Sequence, residues 1–163
     1  YIVAGDNTKK KSLDILKSIS KNVDICEIGF PHNTPIADGG QIQTSAYRAL
    51  KNGLKISDVF QIVRDFKKSK NSKPVILMGY YNMIYQYGEN NFIKKCKSSG
   101  VNGLIVVDLP WPENKGFAKK CKAKAISFVQ LLSPTTSKER LKNIIKDSHN
   151  MIYYISMLST TGG

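Results

Sequence analysis

Arginine is nearly missing from this chain. Only Arg48, Arg64 and Arg140 among its 25 basic residues are arginine, although the formal net charge is +13. Proteins that read nucleic acid favour arginine forks and one dense basic face. Here lysines are spread over every helical segment (Lys9-Lys10-Lys11, Lys67-Lys68, Lys94-Lys95, Lys119-Lys120). That pattern reads as solvated helix faces, so no nucleic-acid partner is expected. Histidine is scarcer still: His32 and His149 are too few and too far apart for a zinc site, and no metal is expected. Cys26, Cys96 and Cys121 are odd in number and widely spaced, which suggests neither disulfides nor metal ligation and fits a reducing cytoplasm. No stretch approaches the roughly 18 apolar residues of a membrane span, so no membrane association is expected. Nucleotide-binding signatures are missing too. The first strand-to-helix turn carries no Gly-x-Gly-x-x-Gly, and there is no Walker-type lysine loop.

What is present fits a globular α/β domain. A length of 163 residues allows a real core but is too short for a complete large α/β barrel. The chain opens at Tyr1, without Met, on residues that already look like the inside of a strand. The expectation is therefore a single domain over 1–163, truncated at both ends. Six apolar runs read as strands: 1–5, 24–30, 74–79, 103–108, 126–132 and 151–156. Helical spacing follows the first five, in 12–19, 41–50, 57–67, a short aromatic stretch ending near Gly88, 89–98, 113–122 and 138–146. Such a βα series makes a parallel sheet. Polar residues recur at the carboxyl ends of these strands: Asp6, Asp38, Tyr80, Asn82, Asp108, and Thr161 with Gly162. In barrels and open sheets alike, that edge binds ligands. Without nucleotide motifs, the fold expected is a (βα)8 TIM barrel of which the chain covers about six βα units.

Two carboxylates stand out. Glu27 lies within the apolar strand Asp24-Ile25-Cys26-Glu27-Ile28-Gly29-Phe30, where a charge is costly without a job or a partner. Asp38 closes the following loop, between Pro35 and the Gly39-Gly40 pair. Two acids on different elements at one strand end can take different protonation roles. The alternatives are a buried salt bridge for Glu27 and a turn-forming role for Asp38. Tyr1 and Tyr80 read either as pocket walls or as core aromatics, and Asp108 either as a functional acid or as a loop or helix-cap aspartate.

These motifs resemble those of the tryptophan synthase alpha chain family. Tyr1-Ile2-Val3-Ala4-Gly5-Asp6, Glu27-Ile28-Gly29-Phe30-Pro31 with Pro35-Ile36-Ala37-Asp38-Gly39, Met78-Gly79-Tyr80-Tyr81-Asn82 and Val107-Asp108-Leu109-Pro110 occur in the family's order. Tyr153-Tyr154-Ile155-Ser156 with Thr161-Gly162 makes a fifth segment. The resemblance implies a cytoplasmic lyase of tryptophan biosynthesis that cleaves indole-3-glycerol phosphate to indole and glyceraldehyde 3-phosphate. Glu27 would be the proton shuttle and Asp38 the acceptor of the indole N–H. Tyr1, Tyr80 and Tyr153 would line the substrate, Thr161 would engage the aspartate on loop closure, and Gly162 would donate to the phosphate. The chain would need no cofactor of its own, pyridoxal phosphate belonging to a beta chain in an alpha2beta2 assembly that Pro31, Asn82 and Pro110 would face. Thr34 stands where many members have an aspartate, Gly40 replaces a frequent proline, and Ser159 a loop glycine. Because the loops after strands seven and eight supply most of a phosphate site in such barrels, these residues alone are expected to be inactive. The rival readings are another phosphate-sugar barrel enzyme, in which Glu27 would be dispensable, and a non-catalytic barrel acting as a binding partner.

Overall fold

The computed structural model describes residues 1–33 and 38–156. Thr34, Ser159, Thr161 and Gly162 lie outside the described residues. The strands are β1 (Ile2–Val3), β2 (Cys26–Gly29), β3 (Val75–Gly79), β4 (Gly103–Val106), β5 (Ser127–Phe128), β6 (Gln130–Leu132) and β7 (Ile152–Tyr154). The helices are α1 (Lys9–Ile19), α2 (Gly40–Lys51), α3 (Ile56–Lys67), α4 (Tyr81–Tyr87), α5 (Glu89–Ser99), α6 (Lys115–Ala123) and α7 (Lys138–Asp147).

Local chemistry sets several of these boundaries. The Thr8 hydroxyl accepts the Lys11 N–H at 3.0 Å and starts α1, and the Ser137 hydroxyl accepts that of Arg140 at 3.3 Å and starts α7. Asn52 ends α2, and Gly53, at φ +76°, turns the chain away. The helix read from the sequence as 113–122 begins at Lys115. Asn114, just before it, does not cap it: its side chain instead exchanges hydrogen bonds of 2.8 and 3.1 Å with Gln130 in the interior.

Strands β1 to β5 pair in parallel in the order of the sequence, and β6 pairs in parallel with β7. The fifth apolar run is split at Val129, whose N–H still donates to the Leu104 carbonyl at 2.9 Å. Its first half thus leans on β4 and its second half on β7. A doubly wound open sheet reverses its strand order at a switch point. No reversal occurs among β1 to β5, and this unbroken succession is that of a barrel wall.

Burial separates the two faces of that wall. Cys26, Ile28 and Phe30 face the helices, in a cluster with Val59, Phe60 and Val63 of α3. The α3 stripe Val59, Phe60, Ile62, Val63 and Phe66 is fully covered, and Phe60 meets Phe92 of α5 edge to face at 5.5 Å. Ile76, Ile105 and Val129 form a second, inner cluster with Met78, Val107 and Leu131. Glu27 is in register with Ile76 and Gly29 with Met78. The period of two therefore turns Glu27 inward while Cys26 and Ile28 face the helices.

Candidate active site

The inner face of β2 begins with Glu27, the half-buried second residue of that strand. Among the described residues it forms none of the ion pairs, which join Lys9 to Asp58, Arg48 to Asp6, Lys68 to Asp65, Lys115 to Asp147 and Lys120 to Glu89. The salt-bridge alternative for Glu27 is thus not realised there. Asp38 is 8% exposed, and its Oδ2 accepts a hydrogen bond from the Tyr80 hydroxyl at 3.4 Å. Its backbone carbonyl accepts the Gln43 side-chain amide at 2.7 Å, which ties the loop to the first turn of α2. Burial pushes the Asp38 carboxyl above the ordinary aspartate range, opposed by the Tyr80 hydrogen bond and by nearby His32. The carboxylate thus has a directed partner beyond its own loop.

Tyr1 approaches from β1. The residue is 42% exposed overall, but its phenol end lies inside, over Gly29. Burial raises the Tyr1 phenol pKa, and the negative charge of Asp38, the Tyr80 phenol and Glu27 raises it further. These four groups, brought together from four separate stretches of sequence, make one compartment. Gly29 is what admits the phenol, because a Cβ there would overlap the Tyr1 hydroxyl. The Gly29→Ala variant, whose backbone needs no positive φ, is expected to expel that ring. In an alkaline spectrophotometric titration one more tyrosine should ionise in the ordinary range than in the parent. An unchanged titration would show that the ring is not held as described.

Other expected positions divide. Tyr80 is buried and belongs to the cluster. Tyr153, in register with inner-layer Leu131, shares the inner face but is 41% exposed on β7 and forms no hydrogen bond with Glu27 or Asp38 among the described residues. Thr161 and Gly162 fall outside them. Asp6 is taken by Arg48 in a two-pronged pair of 2.7 and 2.8 Å, which holds its carboxyl below the usual range and ties the loop after β1 to α2. His32, considered in the sequence only as a metal ligand, packs its ring on Tyr80 with centroids 4.9 Å apart. Its place between Pro31 and Pro35, in the loop joining Glu27 to Asp38, was the available signal. Among the described residues, no group of His, Cys, Asp and Glu could hold a metal ion.

The sequence pattern of the tryptophan synthase alpha chain family matches residues 1–163. The chain belongs to that family. A tryptophan synthase alpha chain of Pelagibacter ubique is 80% identical over 163 residues, all of this chain and 62% of that one. The alpha chain of Pyrococcus furiosus is 43% identical over 162 residues, 99% of this chain and 65% of that one. The chain thus spans under two thirds of the length of these curated relatives. Among solved structures, tryptophan synthase subunit alpha from Legionella pneumophila is similar at a TM-score of 0.91 and 37% identity, over 96% of this chain and 60% of that one. A chain in the tryptophan synthase complex of Pyrococcus furiosus is similar at 0.88 and 41% identity, over 94% and 64%. The sheet is therefore part of an alpha-subunit TIM barrel, with about six of its eight βα units.

Proposed function

We propose that this segment carries the acid–base pair of a carbon–carbon lyase, the alpha part of tryptophan synthase, acting on indole-3-glycerol phosphate. The observation that carries the reading is the compartment itself: a buried aspartate faced by two phenols, beside an inward glutamate of β2 that forms no ion pair among the described residues. Glu27 in its acid form protonates C3 of the indole ring, leaving positive charge on the ring nitrogen. Asp38, ionised, accepts the ring N–H and stabilises that charge. The Glu27 carboxylate then takes the proton of the hydroxyl on the carbon attached to C3. The bond to C3 breaks, its electron pair neutralises the ring, and the oxygen-bearing carbon leaves as an aldehyde. Proton and charge return to their starting places, so the step needs no cofactor in this chain. Tyr1, Tyr80 and Tyr153 are flat walls for the indole, and the family pattern gives Thr161, outside the described residues, the part of engaging the aspartate and Gly162 that of donating to the phosphate. The phosphate is held largely by later units of the barrel, so these 163 residues alone are expected to be inactive.

A beta chain carrying pyridoxal phosphate is the proposed partner and indole its substrate. The likeness to a chain in a tryptophan synthase complex supports this. Asn82 and Pro110 are exposed at the carboxyl edge and suit such a contact, whereas Pro31 is buried against its own chain. A cytoplasmic site of action is proposed on the family alone; no described helix is long and apolar enough to cross a membrane. The test uses a polypeptide extended through the remaining barrel units of the family, incubated with indole-3-glycerol phosphate in deuterium oxide. Indole bearing deuterium at C3 is expected at early times. Absence of indole, or early indole without that label, overturns the reading.

A further inference from the structure

We propose that Asp108 is a positioning residue for the site: its carboxylate holds the first turn of α4 and thereby sets the Tyr80 phenol against Asp38. The inference deepens the lyase reading and rests on it only for the kinetic half of its test.

Tyr80 is the last residue before α4, in extended conformation, and offers its own helix no side-chain cap. A helix of seven residues has most of its N-terminal N–H groups without an internal partner. The N–H of Tyr81 is taken instead by Asp108 Oδ1 at 2.7 Å, from the loop after β4. A charged acceptor at a helix start is favoured by the aligned peptide dipoles and by the strength of charge-assisted hydrogen bonds. The far end of Tyr81 is fixed as well: its hydroxyl donates to Glu89 at 2.5 Å, and Glu89 accepts Lys120 at 2.7 Å. Tyr81 is thus pinned at both ends, by neighbours in the loop after β4 and on α5.

Tyr80 is one peptide bond away, with its ring against His32 and its hydroxyl 3.4 Å from Asp38 Oδ2. That contact is near the outer limit of a hydrogen bond, so a small rotation of the α4 start breaks it. The groups facing Asp38 among the described residues are Tyr1, just before β1, His32 from the loop after β2 and Tyr80 from the end of β3, with Glu27 on the far side of the Tyr1 phenol as a further charge in the compartment. Of the two that favour its ionised form, Tyr80 acts through a directed bond and His32 through charge. Of the two sequence readings of Asp108, the cap is therefore real. It acts on the neighbouring βα unit, with the site one residue beyond it.

The experiment compares Asp108→Ala and Asp108→Asn, alone and with Tyr80→Phe, in the extended polypeptide. Titration of Asp38 is followed by carbon NMR of labelled aspartate, and the pH profile of kcat/KM by indole release. Asp108→Ala is expected to move the Asp38 titration and the acid limb of the profile to higher pH, with kcat/KM about tenfold lower on that limb. Asparagine keeps an acceptor oxygen, so Asp108→Asn should stay within about twofold of the parent. In the Tyr80→Phe background, Asp108→Ala should add no shift. The Tyr81–Glu89–Lys120 anchor keeps α4 attached to the fold while its first turn is freed to rotate, so the variants are expected to fold. A lower melting temperature with an unmoved Asp38 titration overturns the proposal and leaves Asp108 a cap alone. A shift from Asp108→Asn as large as from alanine, or one that persists with Tyr80→Phe, overturns it as well. If the parent releases no indole, the lyase reading fails while the Asp38 titration still decides this one.

Discussion

In the polypeptide extended through the remaining barrel units, Glu27→Gln is expected to lower kcat/KM for indole release by about 10³-fold, within the usual span for loss of a positioned acid–base group. The substitution is nearly isosteric and leaves no cation stranded, since Glu27 forms no ion pair among the described residues. Folding and KM should therefore change little, and the loss should lie in kcat. Steady-state kinetics with a thermal melt on the same preparation checks both halves. Activity within about tenfold of the parent would remove Glu27 as the shuttle and favour another phosphate-sugar barrel chemistry.

The second large effect, in the same extended polypeptide, is that of Asp38→Asn, expected to cost about 10²-fold in kcat because the neutral amide cannot balance the charge that the proposed step places on the indole nitrogen. Stability should move the other way. Burial raises the folded-state pKa of Asp38, so its protonated form is the one folding favours. Its favourable share is complete below the unfolded pKa and is lost as pH rises through the folded pKa. At neutral pH the parent therefore carries a desolvated charge that asparagine lacks, and the variant should melt higher. As the medium becomes more acidic the two melting temperatures should converge. Activity of the parent should fall on the acid side at a higher pH than an ordinary aspartate would give. A variant that melts lower at neutral pH would show that Asp38 is held as a structural ion.

The wall of the barrel was legible because each strand is an apolar run closed by turn residues, and each helix shows a stripe at its own period. Glu27 was legible for the converse reason, as a charge in an apolar run. Tyr1 was harder. Its inward phenol depends on what Gly29 lacks, and a missing side chain on a neighbouring strand leaves no mark near residue 1. In sequence the ring nitrogens of His32 raise the question of metal ligation, yet its contact with Tyr80 is a stacking one. Asp108 was readable as a cap, but local capping looks forward along the chain, and this carboxylate reaches back to the helix of the preceding unit. The split at Val129 follows from tertiary packing, since the apolar run from Ile126 to Leu132 is continuous in sequence.

The regular order of the strands also bears on how the chain folds. Ile2 pairs with Ile28, Ile76 with Gly103 and Gln130 with Ile152, all at similar and modest separations, whereas Cys26 pairs with Val75 across nearly twice that distance. Two helices, α2 and α3, fill this longer excursion. Loop closure there is entropically the most demanding of the set, and slow steps in folding follow such non-local pairings. The excursion holds Asp38 and ends just before Tyr80. On a ribosome, Tyr1, Glu27 and Asp38 therefore emerge well before Tyr80, and the Asp38 carboxylate gains its phenol partner only after the chain through β3 has been made.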